Sequence, residues 1–207
     1  MESGQDTVKP PVPPPSRMTS PLLASLLRLQ SLQDLPRTGW IQRGIRQPET
    51  VAGHVLGVAH LVLALGPRVD PPLDCERALA LVLVHDAPEA LLGDLPRTAA
   101  ELFPPGAKRE AETRAADRLL GPLSDFARAR FEEYQAGATR EARFARACDR
   151  LQLGVRLLAY RRAGAGGLEE FEETLAGLDC AEFAPVRGLR DELLAELRRL
   201  EARPGGL

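Results

Sequence analysis

Cysteine is scarce in this chain: Cys75, Cys148 and Cys180 are odd in number, far apart and free of any C-x-x-C spacing. That excludes a disulfide framework and a thiolate zinc site, and it predicts a reducing compartment, the cytoplasm. Net charge is nearly absent as well, with 27 basic against 29 acidic residues and a formal charge of −2. No single-sign field is therefore available to hold nucleic acid or an anionic membrane. We find no apolar run approaching the length of a membrane span, and the first residues have neither the basic start nor the apolar core of a signal peptide. The G-A-G-G at 164–167 lacks the Lys-Ser/Thr that would follow in a phosphate-binding loop, so it reads as a plain connection. What remains is a chain of 207 residues, 44% hydrophobic, long enough to bury one substantial core and suited to small-molecule chemistry.

Residues 1–20 contain V-K-P-P-V-P-P-P-S and read as a disordered Pro-rich tail, with residues 21–203 forming one domain. Met18 stands just before the first capped helix, so translation from Met18 would lose nothing of that domain. Beyond the tail, apolar residues recur with helical spacing and almost no period-2 alternation, which predicts an all-α fold. The expected helices lie near 21–33, 50–66, 74–92, 107–120, 123–136, 139–163, 168–177 and 185–202. Asp74 and Thr139 are candidate caps, and Gly93 follows the third helix. Lys108/Glu112 and Glu110/Arg114 are i,i+4 pairs, so that stretch reads as a solvated face. Pro88 lacks an N–H for the carbonyl of Val84 and predicts a kink in the third helix.

The run V-H-D-A-P-E-A-L-L-G-D places His85, Asp86, Glu89 and Asp94 within ten otherwise apolar residues. Burying such groups costs several kcal/mol unless each is paired or coordinated, and a divalent cation is the economical common partner. Glu89 lies at i+4 from His85 and i+3 from Asp86, on one helical face. The chain has three histidines. His54 lies beside a buried stripe of Val51, Val55, Val58, Val62 and Leu65 and is the candidate third ligand. His60 falls with Gly53, Gly57 and Ala64 on a small-residue face that predicts a close helix contact, a structural role. Asp149 sits at the edge of a seam formed by Phe144, Cys148, Leu151, Val155 and Leu158; it suits either a fourth ligand or a partner for Arg146 or Arg150.

The order His, His-Asp, Asp over three helices resembles the HD-domain metal-dependent phosphohydrolases. The blocks L-P-R-T-G-W-I-Q-R-G-I-R-Q-P-E-T-V-A-G-H, L-V-H-D-A-P-E-A-L-L-G-D, F-E-E-Y-Q and A-C-D are similar to the 5'-deoxynucleotidase branch, from about Leu29 to Tyr160. The resemblance implies an HD-domain helical bundle holding one divalent metal ion (Mn, Co, Fe, Zn or similar) on His54, His85, Asp86 and Asp149. It further implies hydrolysis of 2'-deoxynucleoside 5'-monophosphates by a homodimer. Glu89 would move the proton. Arg37 and Trp40, in a segment that also carries Arg43 and Arg46, would contact substrate. Asp94 would accept from the sugar 3'-hydroxyl, and Tyr134 and Gln135 would line the nucleoside end. Two departures stand out: Gly53 replaces an acidic residue before the first histidine, at a cost of about 1 kcal/mol to the helix start, and Gly39-Trp40 replaces Arg-Trp. Two other readings compete. One is hydrolysis of another phosphorylated metabolite, although Ala90 breaks the H-D-x-x-E-D run typical of guanosine tetraphosphate hydrolases; the other is a metal-stabilised regulatory module without turnover.

Overall fold

A 23-residue helix, Arg140–Arg162, runs through the middle of the protein, and the site depends on what packs against it. In the computed structural model, which describes residues 19–202, the helices are α1 (Pro21–Leu29), α2 (Thr38–Ile41), α3 (Val51–Leu65), α4 (Cys75–Val84), α5 (Glu89–Leu92), α6 (Arg97–Ala100), α7 (Ala107–Leu120), α8 (Asp125–Ala136), α9 (Arg140–Arg162), α10 (Glu169–Ala176) and α11 (Ala184–Glu201). Among the described residues there is no strand, only an isolated bridge between Pro36 and Thr50. The Pro-rich tail up to Met18 lies outside them.

Helix starts follow the sequence closely because short polar side chains satisfy the free N–H groups there. Thr50 Oγ1 accepts from Gly53 N at 3.0 Å, Asp74 Oδ1 from Arg77 N at 2.9 Å and Thr139 Oγ1 from Ala142 N at 3.2 Å. The Thr50 cap therefore forms despite Gly53. A main core joins α3, α4, α9, α10 and α11 around Val58, Leu81, Phe144, Leu151 and Leu175, while a smaller cluster gathers Leu119, Leu120 and Phe131 under Ala87 and Ala90. Gly154 lets α10 and α11 close onto α9, since a Cβ there would stand 2.7 Å from Leu175.

Several expectations change. The predicted helix over 74–92 is two helices, because α4 stops at Val84 and residues 85–88 form turns with i+3 bonds such as Ala87 N to Val84 O. Pro88 thus ends the α-helical ladder outright. The four-residue helices α2 and α6 are too short for periodicity to reveal. Val155, placed in the α9 seam, is 41% exposed. His60 and Ala64 are exposed, so most of that face is turned to solvent, while Gly57 lies against the Gln152 side chain of α9. Val51–Arg68 is, by length and composition, apolar enough to cross a membrane, with mean hydropathy 1.3, which corrects the expectation of no such run. Its buried side packs on α4 and α9, giving that apolarity a place in the core.

Candidate metal centre

His54 enters one turn after the Thr50 cap, on the face of α3 that meets α9. His85 and Asp86 occupy the turn that Pro88 imposes after α4, and Asp149 comes from the middle of α9. Three segments thus deliver four donors to one point. Nε2 of His54 lies 3.0 Å from Asp149 Oδ1 and 3.7 Å from Asp86 Oδ2, while Nε2 of His85 lies 3.2 Å from Asp86 Oδ2 and 3.8 Å from Asp149 Oδ1. Ligands about 2.0–2.2 Å from a common ion stand roughly 3–3.6 Å from one another, so the arrangement has the size of a coordination shell. His54, His85 and Asp149 form a cluster able to hold a metal ion. Its chemistry fits as well. His85 Nδ1 meets the Val82 carbonyl at 2.7 Å, which turns Nε2 into the site, where it is buried without a hydrogen-bond partner, as are Asp86 Oδ2 and Glu89 Oε2. Converging buried N and O atoms without hydrogen-bond partners fit a cation, whose place protons can take when it is absent.

Charges in the cluster reinforce this. Burial opposes charging of His85, but the Asp86 carboxylate outweighs it and raises the imidazole to about 9. Burial acts against ionised Asp149 too, yet in the metal-free site, where a proton on His54 can stand in for the ion, its contact with His54 and the charge of His85 hold it well below the usual carboxylate range. Glu89 goes the other way, since burial and then the negative charges of Asp86 and Asp94 push it up to about 9. Without a metal the site therefore keeps two aspartates ionised beside a glutamic acid that holds its proton.

A cavity of about 310 Å³ opens onto these groups, lined among others by Arg37, Trp40, Asp86, Glu89, Asp94 and Phe171. Arg37 Nη1 donates to Asp94 Oδ1 at 3.1 Å and stands 3.6 Å from Asp86 Oδ2, so the guanidinium sits at the metal end of the cavity. Thr38 N donates to Asp94 Oδ2, and Thr38 Oγ1 to the Asp94 carbonyl at 2.8 Å, which ties α2 to the loop after α5. Trp40 stacks on Phe171 with ring centroids 4.1 Å apart and meets Tyr160 edge-on at 5.0 Å, forming a rigid aromatic wall.

A sequence profile of the HD domain matches residues 29–178, spanning α3, α4 and α9 with all four donors. The chain belongs to the HD domain family. Relatives that carry the name 5'-deoxynucleotidase include hdd1 of Schizosaccharomyces pombe, 30% identical over 81% of this chain and 86% of that protein, and HDDC2 of Mus musculus, 30% identical over 89% of this chain and 94% of that protein. A crystal structure of the PH0347 protein from Pyrococcus horikoshii OT3 superimposes with a TM-score of 0.73 at 28% identity, covering 84% of this chain and 98% of that one. HD domains are metal-dependent, and the cluster just described is where this HD domain would hold its ion.

Other expected site residues fall differently in this HD domain. Tyr134 does not line the cavity: it is buried, its ring lies 5.1 Å from that of His85, and its hydroxyl donates to Asp149 Oδ2 at 2.9 Å, so it orients a donor from behind. Gln135 points to α7, donating to Glu112 Oε2 at 3.1 Å, and is likewise absent from the lining. Position 134 faces inward on α8 and 135 does not, a difference of about 100° that proximity in sequence conceals. Arg43 pairs with Glu170, and Arg46 is exposed. Lys108, read from the sequence as part of a solvated face, lines the cavity while pairing with Glu112 at 3.5 Å. Gln152 and Glu49, which the sequence does not single out, stand behind His54, with Gln152 Oε1 2.7 Å from His54 Nδ1 and Gln152 Nε2 donating to Glu49 Oε2 at 2.8 Å. Gln152 lies at i+3 from Asp149, on the same face of α9, which was the available signal.

Proposed function

We propose that this protein hydrolyses 2'-deoxynucleoside 5'-monophosphates to deoxynucleoside and phosphate. The observation that carries the reading is the set of unpartnered buried donors His85 Nε2, Asp86 Oδ2 and Glu89 Oε2 beside Arg37 in one cavity. The names of the relatives supply the substrate class. His54, His85, Asp86 and Asp149 would hold one divalent ion of the Mn, Co, Fe or Zn kind, a mixed N/O donor set that suits all of them. When bound, such an ion supplies Lewis acidity at the phosphate.

The side chains divide the remaining work. Arg37, fixed by Asp94, binds phosphate oxygens, and its planar fork suits a doubly charged monoester. Trp40 and Phe171 wall the nucleoside. Asp94 already accepts from Arg37 and Thr38, but a carboxylate has about four lone-pair sites and keeps one for a sugar 3'-hydroxyl. Hydrolysis adds water at phosphorus and breaks the bond to the 5'-oxygen. Glu89, buried at the cavity wall, passes a proton to the departing 5'-oxygen and regains one from the attacking water.

Phosphate release from dAMP, AMP and dATP with Mn, Co or Zn tests this. The expected order is dAMP first, with AMP and dATP slower. Equal rates on dAMP and AMP would reject the sugar preference while leaving hydrolysis intact, and a metal-loaded protein that releases no phosphate would leave the regulatory module. We further propose a cytoplasmic homodimer. Three free cysteines favour a reducing compartment. A second copy would cover the stripe of Leu56 and Leu63 on α3, which are 58% and 55% exposed; sedimentation would give the subunit count.

A further inference from the structure

Behind the metal centre runs a chain of buried and part-buried hydrogen bonds whose polarity is set from its Trp40 end. The indole N–H of Trp40 can only donate, and it donates to Glu49 Oε1 at 3.1 Å. The other carboxylate oxygen, Glu49 Oε2, accepts from Gln152 Nε2 at 2.8 Å. That contact fixes which end of the Gln152 amide faces which way, because a carboxylate offers acceptors alone. Gln152 Oε1 is therefore the atom turned to His54 Nδ1, 2.7 Å away. An acceptor there requires the imidazole proton on Nδ1, and in the neutral ring, the form that can ligate a metal, Nε2 is left with its lone pair pointing at Asp149 Oδ1, 3.0 Å off. Two acceptors at that separation need a cation between them.

The chain is held from both sides. Glu49 N donates to the Tyr160 hydroxyl at 2.8 Å, and Arg37 N donates to the Glu49 carbonyl at 3.0 Å, so the backbone that carries Glu49 also carries the substrate-side arginine. Gln152 is 6% exposed and lies over Gly57, where a Cβ would stand 2.9 Å from Nε2 and 3.0 Å from Cγ. The amide has this one berth, opened by a missing side chain on α3.

We propose that Glu49 and Gln152 are positioning residues for His54: they hold its proton on Nδ1, present Nε2 for ligation, and join that choice to Trp40 in the substrate wall. The proposal rests on His54 being a metal ligand, and it makes a prediction that simple packing does not. In Glu49→Gln the new amide must still offer its oxygen to Trp40, so its NH2 faces Gln152. Gln152 then turns its own NH2 to His54 Nδ1 and demands the opposite tautomer. In Gln152→Glu two carboxylates face each other. The double variant Glu49→Gln/Gln152→Glu restores every donor and acceptor between Trp40 and His54, since the amide now at position 49 donates to the carboxylate now at position 152, and that carboxylate accepts from His54; the one contact it does not restore is the ion pair of Arg156 with Glu49 Oε2, 3.7 Å apart.

The test is zinc affinity of the full chain by chelator competition, with long-range ¹H–¹⁵N spectra of the zinc-loaded parent as a second readout. Each single variant should bind zinc about 10- to 100-fold more weakly, the loss usual when a ligand's hydrogen-bond partner is disturbed, and the double variant should return to within about threefold of the parent. Parent-like binding in both singles, or a double variant no tighter than the weaker single, would overturn the proposal. So would spectra of the parent showing the His54 proton on Nε2, a result that needs no variant to fold. A parent that binds no zinc would instead sink the metal reading on which this one stands, and phosphate release enters neither outcome.

Discussion

At the scale of single residues, Glu89 separates a catalytic centre from a merely structural one. Its Oε2 is buried without a partner and it lines the cavity. Glu89→Gln keeps its size and removes its proton, so kcat should fall about 10²–10⁴-fold while bound metal stays at the parent level, both read on one preparation. Metal loss ahead of activity loss would make it a ligand instead. The same residue sets a pH dependence. In the metal-free protein Glu89 is raised from 4.5 to about 9, by burial first, and His85 from 6.5 to about 9, where Asp86 overcomes burial. Native protein then keeps protons that the unfolded chain releases, so this stabilisation is full below the ordinary values and is lost as pH rises through about 9. The melting temperature of metal-free protein should accordingly drop between about pH 6 and 9, and drop less in Glu89→Gln. A flat profile in the parent would contradict the protonated pair.

Among the helices, glycine substitutions distinguish a berth from an open surface. Alanine at a helical glycine ordinarily stabilises by about 0.8–1 kcal/mol. A Cβ added at Gly188 on α11 would meet nothing within 4 Å, so Gly188→Ala should gain that much in denaturant unfolding and leave zinc affinity unchanged. Gly57→Ala should gain nothing and weaken zinc binding, because its Cβ displaces Gln152. Legibility in the sequence also divides by element. Long helices with a polar cap and a regular stripe, such as α3 and α9, were readable to within a residue or two, and with them His54 and Asp149. The His85–Pro88 turn was readable as a kink but not as the end of α4, since periodicity continues in the residues on either side. Side chains that act through a partner from another helix, Gln152 from α9 and Glu49 from the loop before α3, leave no local pattern; their meaning arises only when the two elements meet.

For the molecule as a whole, one ion would link α3, the turn after α4, and α9, so metal binding is also folding free energy. Chelator should lower the melting temperature, and excess zinc or cobalt should restore it with a dependence on free ion concentration. An unchanged melting temperature after complete metal removal would confine the ion to chemistry. The separation of the donors has a temporal side too. His54 and Asp149 lie 95 residues apart, so a chain emerging from the ribosome exposes His54, His85 and Asp86 well before α9 has been made. Synthesis proceeds at about 5–20 residues per second, which leaves an interval of seconds in which three of the four donors exist without the last. A stable shell closes only once α9 has docked, and by then most of the core is in place. Metal choice would thereby be deferred to an almost finished protein, whose packed helices, and not the loose affinities of a nascent segment, would decide which ion stays.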